Sequence, residues 1–250
     1  MNEILRSLFE RKSARSFLDR PIGGAEKDLI LDSAIQAPTA GNQALYTILD
    51  IEDQALKEAL ALSCDDQPFI AKAPLVLVFL ADCRKWLDFY RYAGVEAREP
   101  GPGDLLLACA DALVAAQNSV VAAESLGIGS CYIGDILENR EKVVELLGLD
   151  DYTMPAAMLV YGYPAESALA RRKPPRFGRK YLVRKDRYAR LSEEEAREML
   201  ASTHPEPGFD FDAYMEAFAK RKYLSAFALE LDRSAGEYLR RFAERDRPRS

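Results

Sequence analysis

Ile4, Leu5, Leu8 and Phe9 are spaced to share one helix face, so the chain opens with a short amphipathic helix that ends near Arg11. A second helix is predicted over residues 26–35, stopping ahead of Pro38. Four short apolar or alternating runs have strand character instead: residues 45–52, 75–81, 129–133 and 156–161. Between the second and third lies DLLLACADALVAAQNSVVAAESL, residues 104–126, which lacks Gly and Pro and is followed by Gly127 as a stop signal. Its apolar positions cover most of the circumference, which predicts a central buried helix. Residues 139–147, closed by Gly148, read as a shorter surface helix. Two helical stretches follow at 192–201 and 211–245, joined by the PEPGFDF linker. Helices and strands are mixed without βαβ alternation, so the fold class is α+β rather than a doubly wound sheet.

Composition supports a folded chain. The 250 residues are 48% hydrophobic and 30% charged, which excludes a disordered protein. No uncharged apolar run reaches the ~20 residues of a bilayer span, so no membrane helix is expected. Residues 1–11 place Glu3 and Arg6 among apolar side chains and offer no small-residue cleavage site, so a signal peptide is not expected and the compartment reads as cytoplasmic. Cys64, Cys83, Cys109 and Cys131 contain no CxxC pair and read as buried, reduced thiols. The single histidine, His204, lies beside Pro205 in the linker region. That excludes a Cys/His zinc site and an ordinary Ser-His-Asp triad, and no metal site is expected. It also removes the commonest general acid and base. The chemistry therefore rests on something the side chains do not supply.

Charge is uneven. The net charge is −6, yet residues 171–190 (RRKPPRFGRKYLVRKDRYAR) hold ten basic residues against Asp186, leaving the remainder at −15. Such a segment is a solvated loop, a nucleic-acid arm or a clamp for a small phosphorylated ligand. The acidic remainder and the lack of a reader motif argue against nucleic acid. Near the N-terminus, Arg11, Lys12, Ser13 and Arg15 in RKSARSF bring three cations and a hydroxyl together at a helix end, either to grip an anion or as an ordinary polar terminus. APTAGNQ, residues 37–43, is a small-residue turn able to present backbone N–H groups and Asn42 to a planar heteroaromatic edge. GIGSCYIG, residues 127–134, has the wrong glycine spacing for a dinucleotide fingerprint and leads into a strand. Gly134 at that strand's end would let a ligand approach the backbone closely.

Taken in order along the chain, these segments resemble the FMN-dependent nitroreductase superfamily, within it the larger NADPH-type oxygen-insensitive nitroreductase and flavin reductase group. The resemblance runs through RKSARSF, APTAGNQ, Asp66-Gln67 ahead of FIAKAP, the stretch AAESLGIGSCYIGDILENREKVVELLGL, VYGYPAE and KPPRF. It implies a central, mostly antiparallel sheet flanked by helices, with an FMN-binding region over 1–190 and a helical C-terminal extension over 191–250. It places the FMN phosphate and ribityl chain on Arg11, Lys12, Ser13 and Arg15. The flavin ring falls to Pro38, Thr39, Gly41 and Asn42, to Gln67, and to the strand end Tyr132, Ile133, Gly134 and Asp135. Lys173, with Arg176 as companion, supplies a basic contact to the flavin. Two positions depart from the family: Pro175 stands where a second basic residue is frequent, and Arg11 where histidine is frequent.

The resemblance further implies hydride transfer from NAD(P)H through FMN to nitroaromatics, quinones or free flavin, by ping-pong kinetics and without a catalytic side chain. It implies a homodimer with FMN at the subunit interface, and Arg233 as a contact for the nicotinamide nucleotide phosphate. The competing reading is a noncatalytic flavin-binding or sensor protein.

Overall fold

The four strand-like runs pair into one antiparallel sheet: β1 (Tyr46–Asp50), β2 (Leu75–Asp82), β3 (Gly129–Ile133) and β4 (Thr153–Gly162), in the order β1-β2-β4-β3. The computed structural model describes residues 1–244, and the chain forms two compact units: Met1–Arg171 together with the chain from Glu230 onward, and Arg172–Leu229.

Every residue of β2 is buried because both faces of the sheet are covered. On one face Leu75, Leu77 and Phe79, with Leu159 and Tyr161 of β4, pack against α2 (Gly24–Ile35) and α6 (Pro102–Ser125). On the other, Val76, Val78 and Leu80 meet α3 (Gln54–Ser63), the single turn α4 (Pro68–Ala71) and α7 (Arg140–Leu147). Each such side chain contributes about 1.5–3 kcal/mol of burial free energy, which is why the strand reads as an unbroken apolar run. The run 45–52 was expected to be longer than β1 proves to be, and the run 156–161 shorter than β4.

Helix α6 is the long helix the sequence predicts, but it is buried on one side only. Ala108, Ala112, Ala115, Ala116 and Ala123 let it lie close to the sheet, and Ser119 Oγ shares a 2.6 Å hydrogen bond with the buried Tyr161 hydroxyl. Leu106 is 69% exposed and Leu113 44% exposed on the opposite side. At 24 residues α6 is also long and apolar enough to cross a membrane, contrary to the expectation of no such helix; here it packs on the sheet.

Helices α3, α4, α5 (Arg84–Tyr92), α8 (Glu166–Ala170) and α9 (Arg179–Leu182) stand where the pattern predicts none. Helix α3 carries a legible start, since the Asp53 carboxylate accepts from Leu56 N at 2.8 Å. The expected single helix over 211–245 is two, α11 (Phe211–Lys222) and α12 (Ala226–Ala243), and its last residue lies outside the described residues. Three consecutive cations, Lys220, Arg221 and Lys222, suit the C-terminal end of α11, and Ser225 Oγ accepts from Ala228 N to start α12. In the second unit, α10 (Glu193–Ala201) is tied to α11 by Arg197 and Asp212 at 3.1 Å, and His204 stacks on Phe209.

Candidate functional site

Helix α1 (Glu3–Glu10) ends at Arg11; residues 13–14 then run beside the edge strand β3, and residues 16–18 beside the segment 163–165 that follows β4. Ala14 N donates to Ser130 O at 2.9 Å, Leu18 N to Tyr163 O at 2.8 Å, and Ala165 N to Ser16 O at 3.0 Å. Two glycines that face each other across β3 and β4, Gly129 and Gly162, make this approach possible. A Cβ on Gly129 would stand 2.7 Å from Pro164 and 2.9 Å from Ala14; one on Gly162 would stand 2.7 Å from the Phe17 ring. These are the close-approach glycines of the region. Around Gly134, which the sequence reading singled out, there is open space.

This strap converges its polar groups on one place. Burial pushes the Cys131 thiol up, and Arg15, Ser13 and Arg11 facing it oppose that rise. Burial likewise pushes the Tyr132 phenol up to about 12, with Arg11 acting against it. The Tyr132 hydroxyl donates to Gln117 Oε1 of α6 at 3.3 Å. Arg11 Nη1 and the Ser130 hydroxyl are both buried without a hydrogen-bond partner among the described residues. A buried guanidinium nitrogen left unmatched costs more than a neutral donor would, so the cluster suits an anion.

Lys12 serves differently. Its ammonium donates to the carbonyls of Leu169 and Arg171, pinning the end of α8 (Glu166–Ala170). Ile133 is buried in the core, while Asp135 lies in the single turn Gly134–Leu137 that follows β3. Gln67 donates from Nε2 to Cys64 O at 2.8 Å, closing the loop ahead of α4.

The loop 37–43 forms a second group, anchored elsewhere on α6. Asp111, 5% exposed, accepts from the Thr39 hydroxyl, from Ala40 N at 3.0 Å and from Leu45 N at 3.2 Å. Thr39 Oγ1 in turn accepts from Ala44 N at 2.8 Å. Gly41, Asn42 and Ala44 all take left-handed φ values, 56°, 58° and 47°. A left-handed conformation costs a non-glycine residue roughly 1–2 kcal/mol, and charge-assisted bonds worth about 1.5–3 kcal/mol each offset it. Pro38, Gly41 and Asn42 stay exposed. Asp111 was not identified from the sequence; an acidic residue inside an Ala- and Leu-rich helix was its available signal. No hydrogen bond or ion pair among the described residues joins this loop to the Arg11–Arg15 group.

Lys173, half-buried, and Arg176, exposed, belong to the second unit. Arg233 on α12 contacts two carboxylates, Glu141 and Glu230, each at 2.8 Å. Glu230, held down to about 2 by Arg233 and Ser234, also accepts from Asn139 N, and Ser234 Oγ accepts from Arg140 N. Helix α12 thereby caps the start of α7, where free N–H groups favour an acidic partner.

Residues 8–163 match the family model described as the Nitroreductase family. The chain belongs to that family. It is 33% identical over 193 residues to an oxygen-insensitive NADPH nitroreductase of Salmonella typhimurium, covering 77% of this chain and 78% of the relative. It is 32% identical over 178 residues to an FMN reductase [NAD(P)H] of Bacillus subtilis, covering 70% and 71%. Among solved structures, B. megaterium NfrA2 superposes with a TM-score of 0.76 at 27% identity, covering 94% of this chain and 98% of that one. The α+β expectation and the family resemblance both hold.

Proposed function

We propose that the Arg11–Arg15 strap holds the phosphate of FMN and that this chain passes hydride equivalents from NAD(P)H to nitroaromatics, quinones or free flavin. The chain is an NAD(P)H-dependent FMN oxidoreductase. The observation that carries the binding assignment is the buried, unmatched Arg11 Nη1 beside Ser13, Ser130 and Arg15. An anionic phosphate satisfies those donors, and the open space around Gly134 leaves room for a planar ring against the backbone of Tyr132, Gly134 and Asp135. FMN, when bound, supplies the hydride relay that no side chain here provides. The protein's part is to orient it: Arg11, Ser13 and Arg15 fix the phosphate end, and Pro38, Thr39, Gly41, Asn42 and Gln67 line the ring. For Lys173 and Arg176 the family resemblance alone supports a basic contact to the flavin.

The geometry of α6 supports a homodimeric assembly. Asp111, which anchors the loop 37–43, and Gln117, which meets Tyr132, are six residues apart, ~9 Å along the axis and about 240° around it. One chain thus presents its two flavin-binding groups on different sides of one helix, and the exposed stripe Leu106, Leu113 lies beside Gln117. A homodimer that covers the stripe brings the loop of one copy to the strap of the other. Both substrates then use one site in turn, which gives ping-pong kinetics.

Purified protein is expected to be yellow, to carry two FMN per dimer and to lose its colour with NAD(P)H. Parallel double-reciprocal lines in an acceptor screen with both nicotinamides support the shared site. A colourless protein that takes up no FMN on reconstitution overturns the assignment.

A further inference from the structure

We propose that Asp111 is a positioning residue that sets the shape of the flavin-lining loop 37–43. The inference rests on the reading that this loop lines the flavin. The carboxylate lies within α6, 5% exposed, and no lysine or arginine pairs with it among the described residues. Its partners are the Thr39 hydroxyl and the backbone N–H groups of Ala40 and Leu45, so both ends of the loop close on one carboxylate. Thr39 Oγ1 closes an inner ring by accepting from Ala44 N at 2.8 Å. Between those anchors the backbone passes through left-handed Gly41, Asn42 and Ala44.

A buried charge held only by loop donors is a constraint on those donors, because leaving it unmatched is worse than any single bond it makes is good. The bonds consume the inward-facing polar groups of the loop, leaving Pro38, Gly41 and Asn42 on its exposed side. Asp111 therefore acts on a ligand through the loop and touches none itself. The side-chain amide of Asn replaces one acceptor oxygen with a donor, so Asp111→Asn turns one of these bonds into a donor–donor clash while preserving volume.

The test compares parent and Asp111→Asn holoenzymes by FMN dissociation constant, visible flavin spectrum and amide exchange. The expected result is a ten-fold or greater weakening of FMN binding and a changed flavin band. Exchange should accelerate in residues 39–45 and stay unchanged in β2. Unaltered FMN affinity in a variant that binds flavin overturns the proposal while leaving the flavin assignment intact, whether or not loop exchange rises. A parent that binds no FMN overturns both. Should Asp111→Asn fail to fold, Thr39→Val and Thr39→Ser decide: Val is expected to weaken FMN binding and Ser, which keeps the hydroxyl, to restore it. Equal FMN affinity in all three chains overturns the role of Asp111.

Discussion

Arg11 holds one guanidinium nitrogen buried and unmatched, so its contribution is deferred until an anion arrives. Arg11→Ala should therefore leave the flavin-free chain as stable as the parent or slightly more so, while weakening FMN binding by roughly 1.5–3 kcal/mol, about ten- to hundred-fold. Thermal melts with and without FMN check this; a variant destabilised equally in both would make Arg11 a structural residue. Glu138 is another buried group with an unmatched atom, 6% exposed, its Oε1 lacking a partner among the described residues. Burial, then Asp135, Asp65 and Glu230, push its carboxyl up from 4.5 to about 7. The folded chain thus keeps this proton to higher pH than the unfolded chain does. Its stability is unimpaired below about pH 4.5 and declines as pH rises through 7. Glu138→Gln should match the parent's melting temperature near pH 5 and exceed it at pH 8. After solvent screening the gain is about 1–2 kcal/mol, or several degrees. An offset that stays constant from pH 5 to 8 would contradict the linkage.

At the scale of elements, the site is assembled by contacts between segments distant in sequence. The strap reaches β3 because Gly129 and Gly162 leave no Cβ in its way, and α12 is fastened across the start of α7 by Glu230, Ser234 and Arg233. Arg233, which the resemblance offers as a contact for a nicotinamide nucleotide phosphate, has its guanidinium between Glu141 and Glu230. Arg233→Ala is expected to loosen that fastening. The loss of stability should be small, because both pairs are exposed to solvent, with kcat/KM falling equally for NADPH and NADH. A ten-fold loss confined to NADPH, equivalent to ~1.4 kcal/mol, would instead establish a 2′-phosphate contact.

For the whole molecule, the exposed stripe of α6 is one apolar feature that a single chain leaves open. If the proposed dimer forms, light scattering should give a mass near 56 kDa, twice the 28.0 kDa chain. Leu113→Glu places a charge on that stripe at a position already 44% exposed, so the fold should survive while the dimer dissociates and FMN is lost with it. A monomeric variant that keeps its flavin would show that one chain completes the site.

Much of this was legible in the residues. The apolar run 75–81 reads as a strand because a sheet covered on both faces buries every side chain, and the Ala-rich stretch 104–126 reads as a helix because nothing in it interrupts helical backbone. The cations of RKSARSF read equally as an anion grip or as a polar helix end, and the residues alone left that choice open. What the sequence alone could not determine is which groups meet. That α6 buries only one side, that Asp111 ties down a loop some 70 residues earlier, and that Arg233 meets Glu141 are matters of long-range packing. Local periodicity specifies a residue's face within its own element. Only tertiary structure supplies the partner across the gap, because that contact joins residues with no fixed spacing in the chain.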